Sequence, residues 1–325
     1  MPKQLQMNDF KLNVAITIDV EEEGLFSGFY SPKDCSVTNV RHLWKLDGIF
    51  RDFGIRPTLL TTYQVAKNDE CKKTLQVLRN RWEAEIGAHL HHWNTDPIIE
   101  MNQRQPVPSE MIPKDYLTDK TVNLLRELSS ISGDRPVTFR MGRFNLGPKM
   151  FSILEELGIN VDSSVAPLRS EYGGPDHIDA PSDPYYPDPD EPTKVGQSKV
   201  MEVPITVNPV FRLIASTLRK VRSAGLLEND KLMNLVSNVA SVPAQPAWVG
   251  LEAAKAGVIF HRLKKGRFLT IFFHSSELAP GLNPLYPTEE AVQGFLIKLR
   301  RLITWLLKRY DTRFITLSEV PRYYL

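Results

Sequence analysis

The sequence predicts an α/β fold, a parallel sheet with helices packed outside it. Three observations carry that prediction. Short apolar, β-branched runs alternate seven times with longer stretches of helical periodicity. The chain, at 325 residues, is long enough for a large core, and α/β barrels of about 250 residues routinely form one domain. The chemically distinctive residues, Asp19, Glu21, a histidine cluster, Arg140 and His274, all fall at the ends of predicted strands. In such folds chemistry collects at the carboxyl ends of strands.

Leu12 to Ile18, LNVAITI, reads as a buried strand, and a helix through Val40–Phe53 follows. Arg56–Thr62 is the second strand, before a charged helix reaching about Arg81, and Glu83–Ala88 is the third. A helix across Leu117–Ser130 leads to the strand Pro136–Arg140. Met150–Leu157 is helical with Gly158 as its C-cap, and Asn160–Asp162 continues as a short strand. Glu171–Pro192, crowded with Pro, Asp, Gly and Tyr, suits a long loop at the mouth of a site. After Lys199–Val207 comes a helical insertion over Pro209–Ala240. The alternation then resumes with a helix at Leu251–Leu263, the strand Phe268–Phe273, a helix over Glu289–Lys308 and a last strand at Arg313–Leu317. We read residues 1–325 as a single domain with a loop and helical insertion at about 171–245.

The 40 basic and 38 acidic side chains leave a formal charge of +2, no electrostatic reason to expect nucleic acid. The start has no apolar run resembling a secretory signal, and no segment approaches the ~20 apolar residues that cross a bilayer. Cys35 and Cys71 are the only cysteines. That fits a reducing cytoplasm and gives little support for a disulfide or a cysteine-rich metal site.

Four stretches carry chemistry. In TIDVEEEG, Asp19, Glu21, Glu22 and Glu23 crowd the exit of an apolar strand, and like charges so close call for a positive partner if buried. EIGAHLHHW places His89, His91 and His92 within four positions. In extended backbone His89 and His91 point to one side and His92 to the other. Neutral imidazoles with a carboxylate suit zinc or another borderline divalent ion. The alternatives are a solvated acidic loop and packed histidine rings. FRMGRF sets Arg140 and Arg143 after the fourth strand, where an arginine can fix a carboxylate or clamp an anionic part of a substrate. FFHSSEL puts His274 at a strand exit, suited to donating a proton near neutral pH.

In this order, TIDVEE, EIGAHLHHW, FRMGRF and FFHS resemble the motifs of the polysaccharide deacetylases, the family-four carbohydrate esterases related to nodulation-type deacetylases. The HLHxW form resembles a branch found among cell-surface polysaccharide biosynthesis proteins. The resemblance covers about residues 12–165 and 266–320. It implies a distorted (β/α)7 barrel, here carrying a helical insertion, that uses a divalent metal to remove acetyl groups from N-acetylated amino sugars. Zinc is the first expectation, with cobalt, nickel or manganese as alternatives. Carried over, Asp19 matches the general base and Arg140 the arginine that orients it. His274 matches the acid that protonates the leaving amine. Glu21 stands at the aspartate ligand's place and His89 at the first histidine ligand. The family commonly spaces its histidines four apart, which here falls on Trp93. His91 is our second ligand on the facing argument, and His92 would need a backbone bulge. A proline usual after the third motif's arginine is replaced by Met141.

The expected substrate is therefore an N-acylated amino sugar of a surface glycan or its precursor, met in the cytoplasm or at the inner face of the membrane. Arg143, Tyr172 and Trp93 are the candidate substrate-binding residues, and Tyr185 and Tyr186 of the long loop could also stack on sugar rings. The mixed basic and apolar segment VFRLIASTLRKVRSAGLL fits either peripheral membrane contact or an ordinary amphipathic helix. A deformylase or other amidase acting on a lipid-linked sugar is the alternative chemistry. A catalytically inactive glycan-binding barrel is the alternative class.

Overall fold

A computed structural model describes residues 11–324 apart from 29, 34, 100, 102–104, 170–175, 211–213, 225–234 and 237–238. Its centre is strand β1 (Leu12–Val20), in which every residue is buried. A strand covered on both faces reads as a continuous apolar run, which is what LNVAITI displayed. On one edge β1 pairs along Asn13–Asp19 with β9 (Phe268–His274). Its other edge is shared: β10 (Thr312–Ile315) takes Leu12–Ala15 and β2 (Thr58–Thr61) takes Thr17–Val20. From β2 the sheet continues through β3 (Glu85–Leu90), β4 (Thr138–Met141), β5 (Val161–Asp162) and β6 (Met201–Glu202). Every pairing in this sheet is parallel. The order β9-β1-β2-β3-β4-β5-β6 is the curled, distorted (β/α)7 barrel that was expected.

The two ends of the curl are tied by Gln245, which is fully buried. Its Nε2 donates to the carbonyls of Thr206, past β6, and of Thr270 in β9, at 3.1 and 2.9 Å. Its Oε1 accepts from the Phe272 amide at 2.9 Å. Thr206 adds a direct amide bond to Thr270 O at 3.1 Å. One amide side chain thus satisfies the Phe272 amide and adds a second donor to two seam carbonyls that already accept from the Thr206 and Ala244 amides.

The helices α3 (Asp69–Trp82), α4 (Lys114–Ser132), α7 (Leu251–Leu263) and α8 (Glu289–Arg309), counted in chain order among those described, turn apolar faces inward. Leu75, Leu78, Leu124, Leu128, Val292, Leu299 and Leu302 recur at helical spacing and are buried. Each such side chain withdrawn from water contributes about 1.5–3 kcal/mol. Asn68 caps α3 and Thr288 caps α8, each side chain accepting from a first-turn amide.

Several boundaries differ from the sequence reading. The helix expected over Val40–Phe53 is a 3-10 stretch, Thr38–Leu46, followed by a short α1 (Asp47–Phe53). Its start is pinned to the β1 exit, with Thr38 and the Asn39 amide donating to Glu23, and this anchoring goes with the tighter winding. The third strand lies two residues later than Glu83–Ala88, because Glu83 takes a left-handed conformation (φ 51°) to end α3. The insertion opens and closes with a separate antiparallel pair, β7 (Val207–Pro209) and β8 (Ser241–Pro243), around α6 (Ile214–Ser223). Two cations of α6, Arg219 and Arg222, pair with Asp179 and Asp176. No helix among the described residues is long and apolar enough to cross a membrane.

Candidate active site

The register of the sheet brings the distant motifs together. Asp19 lies opposite His274 across β1 and β9, and His89 lies opposite Arg140 across β3 and β4. All four are at carboxyl ends of strands, and with Glu21 and His91 they line a cavity of about 450 Å³.

Arg140 is completely buried. A charge there is tolerable only when paired and fully hydrogen-bonded. Its Nη1 donates to Asp19 Oδ1 at 2.5 Å, its Nε to Ser163 O at 2.7 Å, and its Nη2 to Thr17 Oγ1 and Ser163 Oγ at 3.1 and 2.8 Å. Burial by itself would raise the Asp19 carboxyl's pKa. The Arg140 guanidinium, with help from His89 and His274, outweighs it and holds the value below the usual carboxylate range. Asp19 is therefore ionised, with Oδ1 engaged and Oδ2 lying 3.7 Å from His89 Nε2 and 4.0 Å from His274 Nε2.

Glu21, His89 and His91 form a compact acceptor cluster. Glu21 Oε2 is 3.4 Å from both His89 Nε2 and His91 Nε2, and the two nitrogens are 3.0 Å apart. The opposite ring nitrogens decide what this means. His89 Nδ1 is 3.1 Å from the Arg140 carbonyl, and His91 Nδ1 is 2.7 Å from Glu22 Oε1. Both partners are acceptors, so each Nδ1 is placed to donate and each ring turns its Nε2 inward. Burial works against the His91 imidazolium, but Glu22, Glu21 and Asp19 outweigh it and raise the pKa. A carboxylate oxygen and two imidazole nitrogens this close call for positive charge among them, from a proton or a cation. The donor set of one carboxylate and two imidazoles, all buried and within 4.8 Å of one another, fits a divalent cation of the zinc type. The carboxylate and carbonyl behind the rings are the supports that metal-ligating histidines characteristically have.

His92 faces away, as the alternation predicted. Its Nε2 bonds the Val107 carbonyl at 2.9 Å, and burial pushes its pKa down to about 3. The cluster therefore takes in His91 and leaves His92 out. Each acid of TIDVEEEG has its own partner: Asp19 has Arg140, Glu21 the imidazoles, Glu22 His91 and Asn94, and Glu23 Thr38. Ser275 fixes the turn by accepting from the Glu21 amide and from Asn39 Nδ2.

His274 is partly buried between Phe26 and Phe272, whose rings meet it edge-on at 5.0 and 4.9 Å. Its Nδ1 lies 3.3 Å from Glu277 Oε1, and Glu277 also accepts from the His274 amide. Burial disfavours the imidazolium, but Glu21, Glu277 and Asp19 overcome this and lift the pKa to about 9. Glu277 was not singled out from the sequence, although the S-S-E spacing after His274 is that of a capping box. Glu22 was seen only as one of a run of acids, with no signal marking it as the partner of a histidine 69 residues away.

The expected substrate-binding residues divide. Trp93 and Arg143 line the cavity, with Phe26, Tyr30, Trp248 and Phe272 beside them. Arg143 is exposed at φ 60°, left-handed, just after β4. Strained backbone of this kind gathers at functional sites. Tyr172 lies outside the described residues. Tyr185 is core, 2% exposed with its hydroxyl on Pro192 O, and Tyr186 packs edge-on to Tyr324, so neither lines the cavity. Their stacking on a sugar is corrected accordingly: β6 recruits this part of the loop through the Tyr185–Glu202 bridge.

No family model matches the chain, and no curated protein sequence does. Solved structures do. A candidate polysaccharide deacetylase from Mycobacterium smegmatis aligns over 97% of this chain and 90% of its own, with a TM-score of 0.56 at 17% identity. A candidate glycoside hydrolase/deacetylase from Parabacteroides distasonis aligns over 98% of this chain and 72% of its own, with a TM-score of 0.64 at 13% identity. The 4-alpha-glucanotransferase of Thermococcus litoralis also aligns, over 96% of this chain and 40% of its own, with a TM-score of 0.50 at 13% identity. A barrel that also serves a glucanotransferase does not by itself specify a reaction. The chain thus shares the fold of structures described as a polysaccharide deacetylase and a glycoside hydrolase/deacetylase.

Proposed function

We propose that this protein is a metal-dependent hydrolase that removes the N-acetyl group from an amino sugar of a cell-surface glycan or its precursor. The observation that carries the proposal is the convergence, in one cavity, of an ionised carboxylate locked by a buried arginine, a cation-fitting cluster and a protonated imidazole. Glu21, His89 and His91 would hold a divalent ion. Such an ion supplies Lewis-acid polarisation of the acyl oxygen and a lowered pKa for water.

The protein's own groups do the rest. Arg140 holds Asp19 Oδ1, so Oδ2 remains as the base that takes a proton from the attacking water. The water oxygen bonds the acyl carbon, and the C–N bond breaks as the tetrahedral adduct collapses. His274 gives the Nε2 proton to the departing nitrogen, with Glu277 holding Nδ1. Acetate and a free amine result. A base below and an acid above neutrality is the division of labour that one-pH hydrolysis of an amide needs. Phe26, Tyr30, Trp93 and Trp248 give the cavity the apolar, aromatic walls that suit a sugar ring.

The test is release of acetate from N-acetylated glucosamine oligomers and from lipid-linked N-acylated amino sugars, with formate measured in parallel. Zinc-loaded protein should release acetate, and the Asp19→Asn variant should not. Formate release alone would reassign the acyl group, and no release of either acid above the variant's background would overturn the proposal.

A further inference from the structure

We infer that Trp93 is a positioning residue for the cation cluster: its indole, together with the Gly142 backbone, holds the His91 ring so that Nε2 aims at His89 and Glu21. The inference rests on reading those three side chains as ligands.

Past the end of β3 the chain turns at residues 92–94, and the rings of residues 89, 91 and 93 follow in file. His89 and His91 lie 4.5 Å apart between centroids, and His91 and Trp93 lie 4.3 Å apart at an interplanar angle of 25°. The second contact is a stack. Glu22 fixes only one point of the His91 ring, Nδ1, at 2.7 Å. A ring held at one atom can still tilt about it, and a tilt swings the lone pair of Nε2 out of line. The indole face stops that motion. Gly142 closes the other route: a Cβ there would come within 2.5 Å of His91 Cδ2 and 3.2 Å of Nε2, so the bare backbone lies against the edge that carries the donor atom.

Trp93 is itself held firmly, 4% exposed and met edge-on by Tyr30 and His92 at 5.2 Å each. Its Nε1 is buried with no hydrogen-bond partner among the described residues. An indole nitrogen has no lone pair to offer a cation, so Trp93 acts on the cluster through its ring face.

The experiment titrates metal-free protein with Co2+, reading affinity by calorimetry and ligand geometry by the visible absorption of the bound ion. The variants are Trp93→Phe, which keeps a stacking ring, Trp93→Leu, which keeps apolar bulk without one, and Trp93→Ala. Circular dichroism melts of the metal-free proteins accompany the titrations. Trp93→Leu and Trp93→Ala should lose about tenfold or more in Co2+ affinity and show an altered spectrum, the size of effect typical of groups behind a ligand. Trp93→Phe should recover most of the loss. If Trp93→Ala fails to fold, the contrast between Phe and Leu decides. Wild-type affinity and spectrum in Trp93→Leu, or equal losses in Leu and Phe, would overturn the inference while leaving the functional proposal intact. A wild-type protein that binds no Co2+ would overturn both.

Discussion

Arg140 Nη1 and Asp19 Oδ1 meet at 2.5 Å across 121 residues of chain, and both groups are buried. An arginine so placed leaves the carboxylate one working oxygen and keeps it ionised. Breaking a buried pair from one side costs about 3–5 kcal/mol because the survivor stays charged and uncompensated.

Asp19→Asn keeps an acceptor for Arg140 and removes the base. The protein should remain folded, with a lower midpoint in urea, and kcat for acetate release should fall by about 10²–10⁴, the usual contribution of a positioned base. Steady-state kinetics with metal content held equal measures this. A kcat within a few-fold of wild type would remove Asp19 from the chemistry.

His91 and His92 are adjacent in sequence but differ in what they face. Removing an inward imidazole should cost more than the 10–100-fold typical of outer supports. His91→Ala and His89→Ala should therefore purify with little zinc, whereas His92→Ala should retain it, at some cost in stability from the unpaired Val107 carbonyl. Elemental analysis after dialysis gives the answer, and a zinc-depleted His92→Ala beside a zinc-replete His91→Ala would reverse the ligand assignment.

The pH profile should have a basic limb set by His274. A raised pKa means that the proton needed by the leaving amine is present below about 9 and lost above it. A cation on Glu21 cancels part of the negative charge that raises the value, so the limb should fall between 6.5 and about 9. Asp19, shifted down, should contribute no fall in rate until the pH drops below the usual carboxylate value of 3.8. Glu277→Gln should move the limb to lower pH, because one of the charges that sustains the imidazolium is gone. A limb that stays put would show that Glu277 does not set the acid's strength.

Gln245 closes the seam between the ends of the sheet through three backbone bonds. Gln245→Leu conserves most of the volume and leaves the buried Phe272 amide without its partner, at about 1–3 kcal/mol. The urea midpoint should drop with an unchanged slope. Unaltered stability would mean that the Thr206–Thr270 contacts suffice.

The amino-acid order determined a good deal unaided. A two-residue period put His89 and His91 on one face and His92 on the other, because successive side chains of an extended chain alternate whatever packs around them. Seven apolar runs between amphipathic stretches determined the parallel α/β sheet, and residues placed just after strands had to lie at its carboxyl end. Tertiary structure alone decided the partners: Glu22 behind His91, Glu277 behind His274, Trp93 stacked on an imidazole and Gln245 across the seam. Curvature and register fix these contacts by summing small twists over many strands. No local pattern encodes that sum, so which acid meets which ring appears only once the sheet has curled.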